Sequence, residues 1–172
     1  MSNVLQTVAE LMEIAAVTAP KSGGKNFVVT KILNPAECQT LGQEMIEYGQ
    51  ATGKKHFDRD GANVVKSAAI LLVGIKNAAA VGLNCGACGA AKCLPINTGA
   101  ADGEFLGPQC LFRVLDLGIA LGSAVKTASL LNVDNRMMYR IGTVARELKL
   151  FDADFVMGIP LSVSGKNIYF DR

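Results

Sequence analysis

The chain has 172 residues, 50% of them apolar and 19% charged, with a formal net charge of +2. Scattered Lys and Arg at so small a net charge exclude the electrostatic footprint of a nucleic-acid binder. No apolar run is long enough to span a bilayer, and the length allows a core without disulfide staples. Glu10 and Glu13 interrupt the N-terminal apolar residues and no basic segment precedes them, so no signal peptide is expected. Reduced cysteines then imply the cytoplasm.

Val4, Leu5, Val8, Leu11, Met12, Ala15 and Ala16 recur at helical spacing, which predicts a helix ended by Pro20. Residues 21–26 form a loop by composition, and the β-rich residues 27–33 predict a buried strand. Asn34-Pro35-Ala36-Glu37 combines an N-cap, a first-turn proline and a capping-box glutamate, which predicts a helix to about Gln50. Residues 53–61 read as a polar connection. It holds His56, the only histidine, and a lone histidine in a charged loop is most often solvated. Residues 62–66 read as a short helical turn. The continuous apolar run 68–73 predicts a central strand covered on both faces.

Residues 111–131 predict a helix with a wide apolar face, on which Gly118, Gly122 and Ser123 would let another backbone approach. Such a helix is expected to be buried and central. An amphipathic helix over 137–148 and a strand over 155–159, stopped by Pro160, follow. The tail 164–172 is apolar at its centre and predicts a strand against a sheet edge of this chain or of a partner subunit. The mixture predicts one α/β (α+β) domain, 1–172, with residues 75–110 as an inserted loop.

Four of the five cysteines, Cys85, Cys88, Cys93 and Cys110, lie in that loop. Clustered thiolates repel one another unless a disulfide or a metal joins them. A core-forming chain with no secretory signal fits disulfides badly. Cys85-x2-Cys88 suits zinc, but structural zinc sites usually bring a second short pair, and Cys93 and Cys110 are far apart. A compact loop with three sulfurs, a distant fourth, and Gly86, Ala87, Gly89, Ala90 and Ala91 between them suits an iron–sulfur cube better, leaving zinc as the alternative. A loop of this length also needs something to order it, and a bound cluster would do so. Cys38, near a helix start, reads as a free buried thiol.

The spacing C-x2-C-x4-C-x16-C, with Gly89 after the second cysteine, resembles the four-cysteine [4Fe–4S] domain of corrinoid iron–sulfur proteins and Rnf-type electron-transport subunits. The resemblance implies Cys85, Cys88, Cys93 and Cys110 as cluster ligands. Lys92 or Arg113 would then be placed to offset the cluster's negative charge.

A second resemblance, to nitroreductases, rests on the text from Ala15 to Asn26, on Asp116-Leu117-Gly118-Ile119-Ala120, and on Phe155-Val156-Met157-Gly158-Ile159-Pro160. It implies a three-layer α/β/α sandwich, an intertwined homodimer and FMN at the interface. That family's N-terminal Arg-Arg-Ser-x-Arg signature is absent here. Phosphate binding would therefore fall to Lys21, Ser22, Lys25, Asn26, Lys166 and Arg172, whose other reading is a set of solvated surface groups. The two resemblances, with Asn84-Cys85-Gly86-Ala87-Cys88-Gly89 and the ending Gly165-Lys166-Asn167-Ile168-Tyr169-Phe170-Asp171-Arg172, together are similar to a family of uncharacterised ferredoxin-domain proteins. They imply an iron–sulfur redox protein that transfers electrons to an unknown redox partner, or an FMN-dependent oxidoreductase of nitroreductase type. The alternative is a non-catalytic module stapled by Fe–S or zinc.

Overall fold

A computed structural model describes residues 2–93 and 103–170. Its elements are α1 (Ser2–Thr18), β1 (Val28–Leu33), α2 (Pro35–Thr52), α3 (Phe57–Val65), β2 (Ala69–Ile75), α4 (Leu111–Leu130), β3 (Asp134–Asn135), α5 (Tyr139–Glu147) and β4 (Phe155–Ser162). A single 3-10 turn, Ser22–Gly24, lies between α1 and β1.

The strands form one sheet in the order β1-β2-β4-β3, every pair antiparallel. Every residue of β2 is buried, because helices cover both faces of the sheet. Its side chains alternate: Ala69, Leu71, Val73 and Ile75 pack with α1 and α4, whereas Ile70 and Leu72 pack with α2, α3 and α5. The result is the expected helix–sheet–helix sandwich.

The start of α2 forms as its residues dictate. Asn34 Oδ1 accepts from the N–H groups of Ala36 (2.9 Å) and Glu37 (3.0 Å), and Glu37 Oε2 accepts from Asn34 N–H (2.8 Å). Gly53, in the left-handed region at φ 68°, ends the helix.

Four expectations are corrected. The polar connection 53–61 is largely helix: α3 begins at Phe57. Its charges look solvated in sequence, yet Asp60 is buried and accepts from Arg59 (2.7 Å) and Arg140 (2.8 Å). Pro160 does not stop β4. It falls between the Asn135↔Leu161 pair and the Met138↔Gly158 bridge, where the ladder to β3 is interrupted and a missing N–H costs nothing.

The third concerns α4, which lies in an outer layer: Leu115 and Ile119 are nearly half exposed, and Gly118 and Gly122 face open space. The last concerns the tail. Its described residues, to Phe170, form no strand, and the short β3 takes the sheet edge instead. Tyr169 anchors this segment. Tyr169 is 1% exposed, its hydroxyl lies 2.9 Å from Ser67 Oγ, and Arg136 donates to its carbonyl (2.8 Å).

Burial pushes the Tyr169 hydroxyl up to about 12, only partly offset by Ser162 and Ser67. The unfolded chain therefore loses this proton near pH 10 while the folded chain keeps it, so stability falls as pH rises from about 10 to about 12. Ultraviolet titration should show one of the three tyrosines ionising late, and Tyr169→Phe should remove that late step.

Candidate metal centre

Residues 76–93 leave the end of β2 as a strap. Buried Asp154 fixes its root: Oδ2 accepts from Asn77 N–H (2.6 Å), and its carbonyl accepts from Leu106 N–H (2.9 Å) on the returning segment. The strap then turns tightly. Gly89 N–H bonds the Gly86 carbonyl (2.9 Å), with Gly86 at φ 72° and Gly89 at φ 88°, the left-handed conformations expected of these glycines. Asn84 closes the turn: its Oδ1 accepts from Cys93 N–H (2.8 Å) and its N–H points at Cys93 Sγ (3.3 Å). None of the strap's described residues is helical.

Cys85, Cys88, Cys93 and Cys110 line one pocket, together with Ala80, Gly86, Ala90, Pro108, Gln109 and Leu111. Cys85 and Cys88 are exposed, Cys93 is half-buried and Cys110 is buried. Among the described residues, no three Cys, His, Asp or Glu side chains come close enough to share a metal ion. Cys38 is absent from this lining: it lies wholly buried in the α2 core, where burial pushes its thiol up to about 12.

Cys110 is the N-cap of α4. Burial raises its thiol, but the N–H groups of Val81, Arg113 and Phe112 and the Arg113 charge outweigh that, and the thiol lies below its ordinary range. The helix N-terminus favours negative charge at the same place. Of the two cations expected to offset a cluster, Lys92 is exposed, whereas Arg113 is 2% exposed. Arg113 donates from Nε to the Ala79 carbonyl (2.9 Å) and from an η nitrogen to Asp116 Oδ2 (3.0 Å), with its guanidinium over the Phe27 ring at 4.7 Å. Two charges at i, i+3 within the apolar stripe of α4 were the signal for this buried pair.

Four cysteines lining one pocket, small residues in its wall, and the N–H groups and Arg113 charge at Cys110 suit an anionic iron–sulfur cube. The residues expected to hold a flavin phosphate fit poorly. Lys21 Nζ donates to the carbonyls of Ala16 (2.8 Å) and Val17 (2.6 Å), closing the end of α1. Ser22 gives both its N–H (2.7 Å) and its hydroxyl (2.8 Å) to Asp116 Oδ1, and Asn26 Oδ1 accepts from Val28 N–H (3.0 Å). Lys25 and Lys166 are exposed, and Arg172 lies outside the described residues. His56 sits in the left-handed region ahead of α3, in the solvent-facing groove with Lys54, Lys55 and Asp58.

Known proteins match this arrangement in parts. An uncharacterized protein of Archaeoglobus fulgidus is 46% identical over 169 residues, 98% of this chain and 91% of its own length. A nitroreductase with bound FMN from Desulfitobacterium hafniense superposes with a TM-score of 0.58 at 14% identity, covering 95% of this chain and 78% of its own. Nitroreductase A from Vibrio parahaemolyticus gives a TM-score of 0.58 at 14% identity, over 94% of this chain and 59% of its own. These similarities establish a nitroreductase-like fold. A family profile described as "uncharacterized protein containing a ferredoxin domain" matches residues 106–172, which include Cys110 but not the other three pocket cysteines. By the profile and the Archaeoglobus relative together, the chain belongs to the family of uncharacterised ferredoxin-domain proteins, carried on a nitroreductase-like fold.

Proposed function

We propose that the protein is an electron carrier that holds one [4Fe–4S] cluster on Cys85, Cys88, Cys93 and Cys110. The convergence of these four thiols on one pocket carries the reading. The spacing favours a cube over a single zinc, because a structural zinc site usually brings a second short pair and Cys93 and Cys110 are far apart in sequence. When bound, the cube supplies one-electron transfer. The chain's own residues do the rest. Gly86 and Gly89 wrap the strap, Asn84 holds Cys93 in place, and Arg113 with the α4 N-terminus offsets negative charge at Cys110. Exposure of Cys85 and Cys88 puts the outer edge within reach of a redox partner. On this reading residues 1–172 are one domain in which residues 75–110 are the cluster loop. The same reading keeps the thiols reduced, as a cytoplasmic location would. Among the described residues no helix is long and apolar enough to cross a membrane.

The same reading includes a homodimer. Val4, Leu11 and Ile14 of α1 and Leu115 and Ile119 of α4 are exposed on adjacent outer helices, and Gly118 and Gly122 leave room there for a second backbone. Light scattering should give twice the chain mass for the wild type. Ile119→Lys should give a folded single chain, and a single chain for both would remove the dimer from the account.

The cluster reading is tested by purification without oxygen, followed by visible and electron paramagnetic resonance spectra before and after dithionite. Broad visible absorption that bleaches reversibly, with a paramagnetic reduced state, is the expected result. A cluster that never takes up an electron would leave the metal-stapled module, and a colourless protein holding one zinc would end the redox reading.

A further inference from the structure

The loop that the nitroreductase resemblance assigns to a flavin phosphate faces inward. A phosphate dianion needs donors turned toward it. Here both donors of Ser22 meet Asp116 Oδ1 at 2.7 and 2.8 Å, a second negative group that no anion would approach. The loop's acceptors are turned the same way: Arg113 donates to the carbonyls of Ser22 (2.9 Å) and Lys25 (3.4 Å). Through Nε the same guanidinium holds Ala79, at the root of the strap that carries Cys85, Cys88 and Cys93. Arg113 is also three residues beyond Cys110. One ion pair, both members buried, therefore joins the 21–26 loop, the cysteine strap and the N-terminus of α4.

We infer that the Ser22–Lys25 loop is a clamp for the cysteine pocket and not a flavin-phosphate site: Ser22 is a positioning residue that orients Asp116, and through it Arg113, which holds the root of the cysteine strap at Ala79. This inference rests on the cluster reading above. A reduced cube is more negative than an oxidised one, so a nearby cation favours reduction and a nearby anion opposes it. Asp116 partly cancels the field of Arg113. Neutralising Asp116 without changing its shape leaves the cation unopposed, and the midpoint potential rises. Removing the Ser22 hydroxyl loosens the pair and the strap it holds.

The experiment uses the full chain, purified without oxygen. Spectroelectrochemistry of Asp116→Asn should show a potential above that of the wild type. Iron release to EDTA should be about tenfold faster in Ser22→Ala, as for loss of one hydrogen bond to a charged group, and Ser22→Thr should restore the wild-type rate. Titration of FMN into wild-type protein should show no saturable quenching of flavin fluorescence. Cluster-bearing variants with wild-type potential and release rate would overturn the clamp and leave the cluster reading standing, as would stoichiometric FMN uptake. Wild-type protein without iron would sink the cluster reading, and the clamp with it.

Discussion

Cys93→Ser is expected to leave a colourless protein that retains little iron. Cys93 closes the strap, with Asn84 bonding its N–H and pointing a donor at its sulfur. A serine hydroxyl stays protonated at neutral pH and is a poor substitute for a thiolate ligand. The strap has no apolar core of its own, since Cys85, Cys88 and most of their neighbours are exposed. Ligation would therefore supply what packing does not. A group bound at a thousandfold excess over its dissociation constant stabilises the folded chain by about 4 kcal/mol. For a chain of this size that is roughly 8–16 °C in Tm, and the variant should lose about that much relative to cluster-bearing protein. Iron analysis and a thermal melt on the same sample check both. Cys38→Ser is the control: its thiol lies outside the pocket, so iron content should match the wild type.

Gly142→Ala should be the most damaging single methyl in the fold. A Cβ at Gly142 would sit 1.9 Å from the carbonyl oxygen of Val156, and one at Gly158 would sit 2.6 Å from Ile141 Cβ. Helix α5 therefore rests directly on β4, glycine of each against backbone or branched side chain of the other. Backbone cannot yield as the end of a flexible side chain can, so α5 must lift from the sheet. The cost should be about 3 kcal/mol or more, at the upper end for overpacking. The displacement reaches the site as well. Arg146 of α5 donates to the carbonyls of Ala153 (2.8 Å) and Glu104, and the segment containing Glu104 leads back to Cys110. Urea unfolding should give a lower midpoint, whereas Gly165→Ala, where the added methyl meets open space, should stay near the wild type.

How much of this was legible in sequence depended on whether the deciding interaction was local. The α2 cap was legible because Asn34, Pro35 and Glu37 act within one turn. Strand β2 was legible because the continuous apolar run 68–73 needs cover on both faces, and the strand runs on through Gly74 to Ile75. Helix α3 was hidden because its burial of Asp60 depends on Arg140, 80 residues away. The course of β4 past Pro160 was hidden because it depends on where β3 stops pairing. The tail looked like a strand because Ile168, Tyr169 and Phe170 are β-formers, whereas Tyr169 is held by Ser67 and Arg136 from elsewhere in the chain.

The site divides in the same way. Cysteine spacing was enough to nominate the four residues that line the pocket. It said nothing of Asn84 as the latch on Cys93, of Asp154 at the strap's root, or of the inward turn of Ser22. Each of those roles is set by a partner distant in sequence or by a backbone direction that composition does not encode.

The most direct measurement is the iron and acid-labile sulfide content of protein made and purified without oxygen, with its Mössbauer spectrum. The account predicts equal iron and sulfide, one cube per chain, with a spectrum of delocalised mixed-valence pairs. Stoichiometric zinc with no sulfide, or iron retained when Cys93 is replaced, would contradict it.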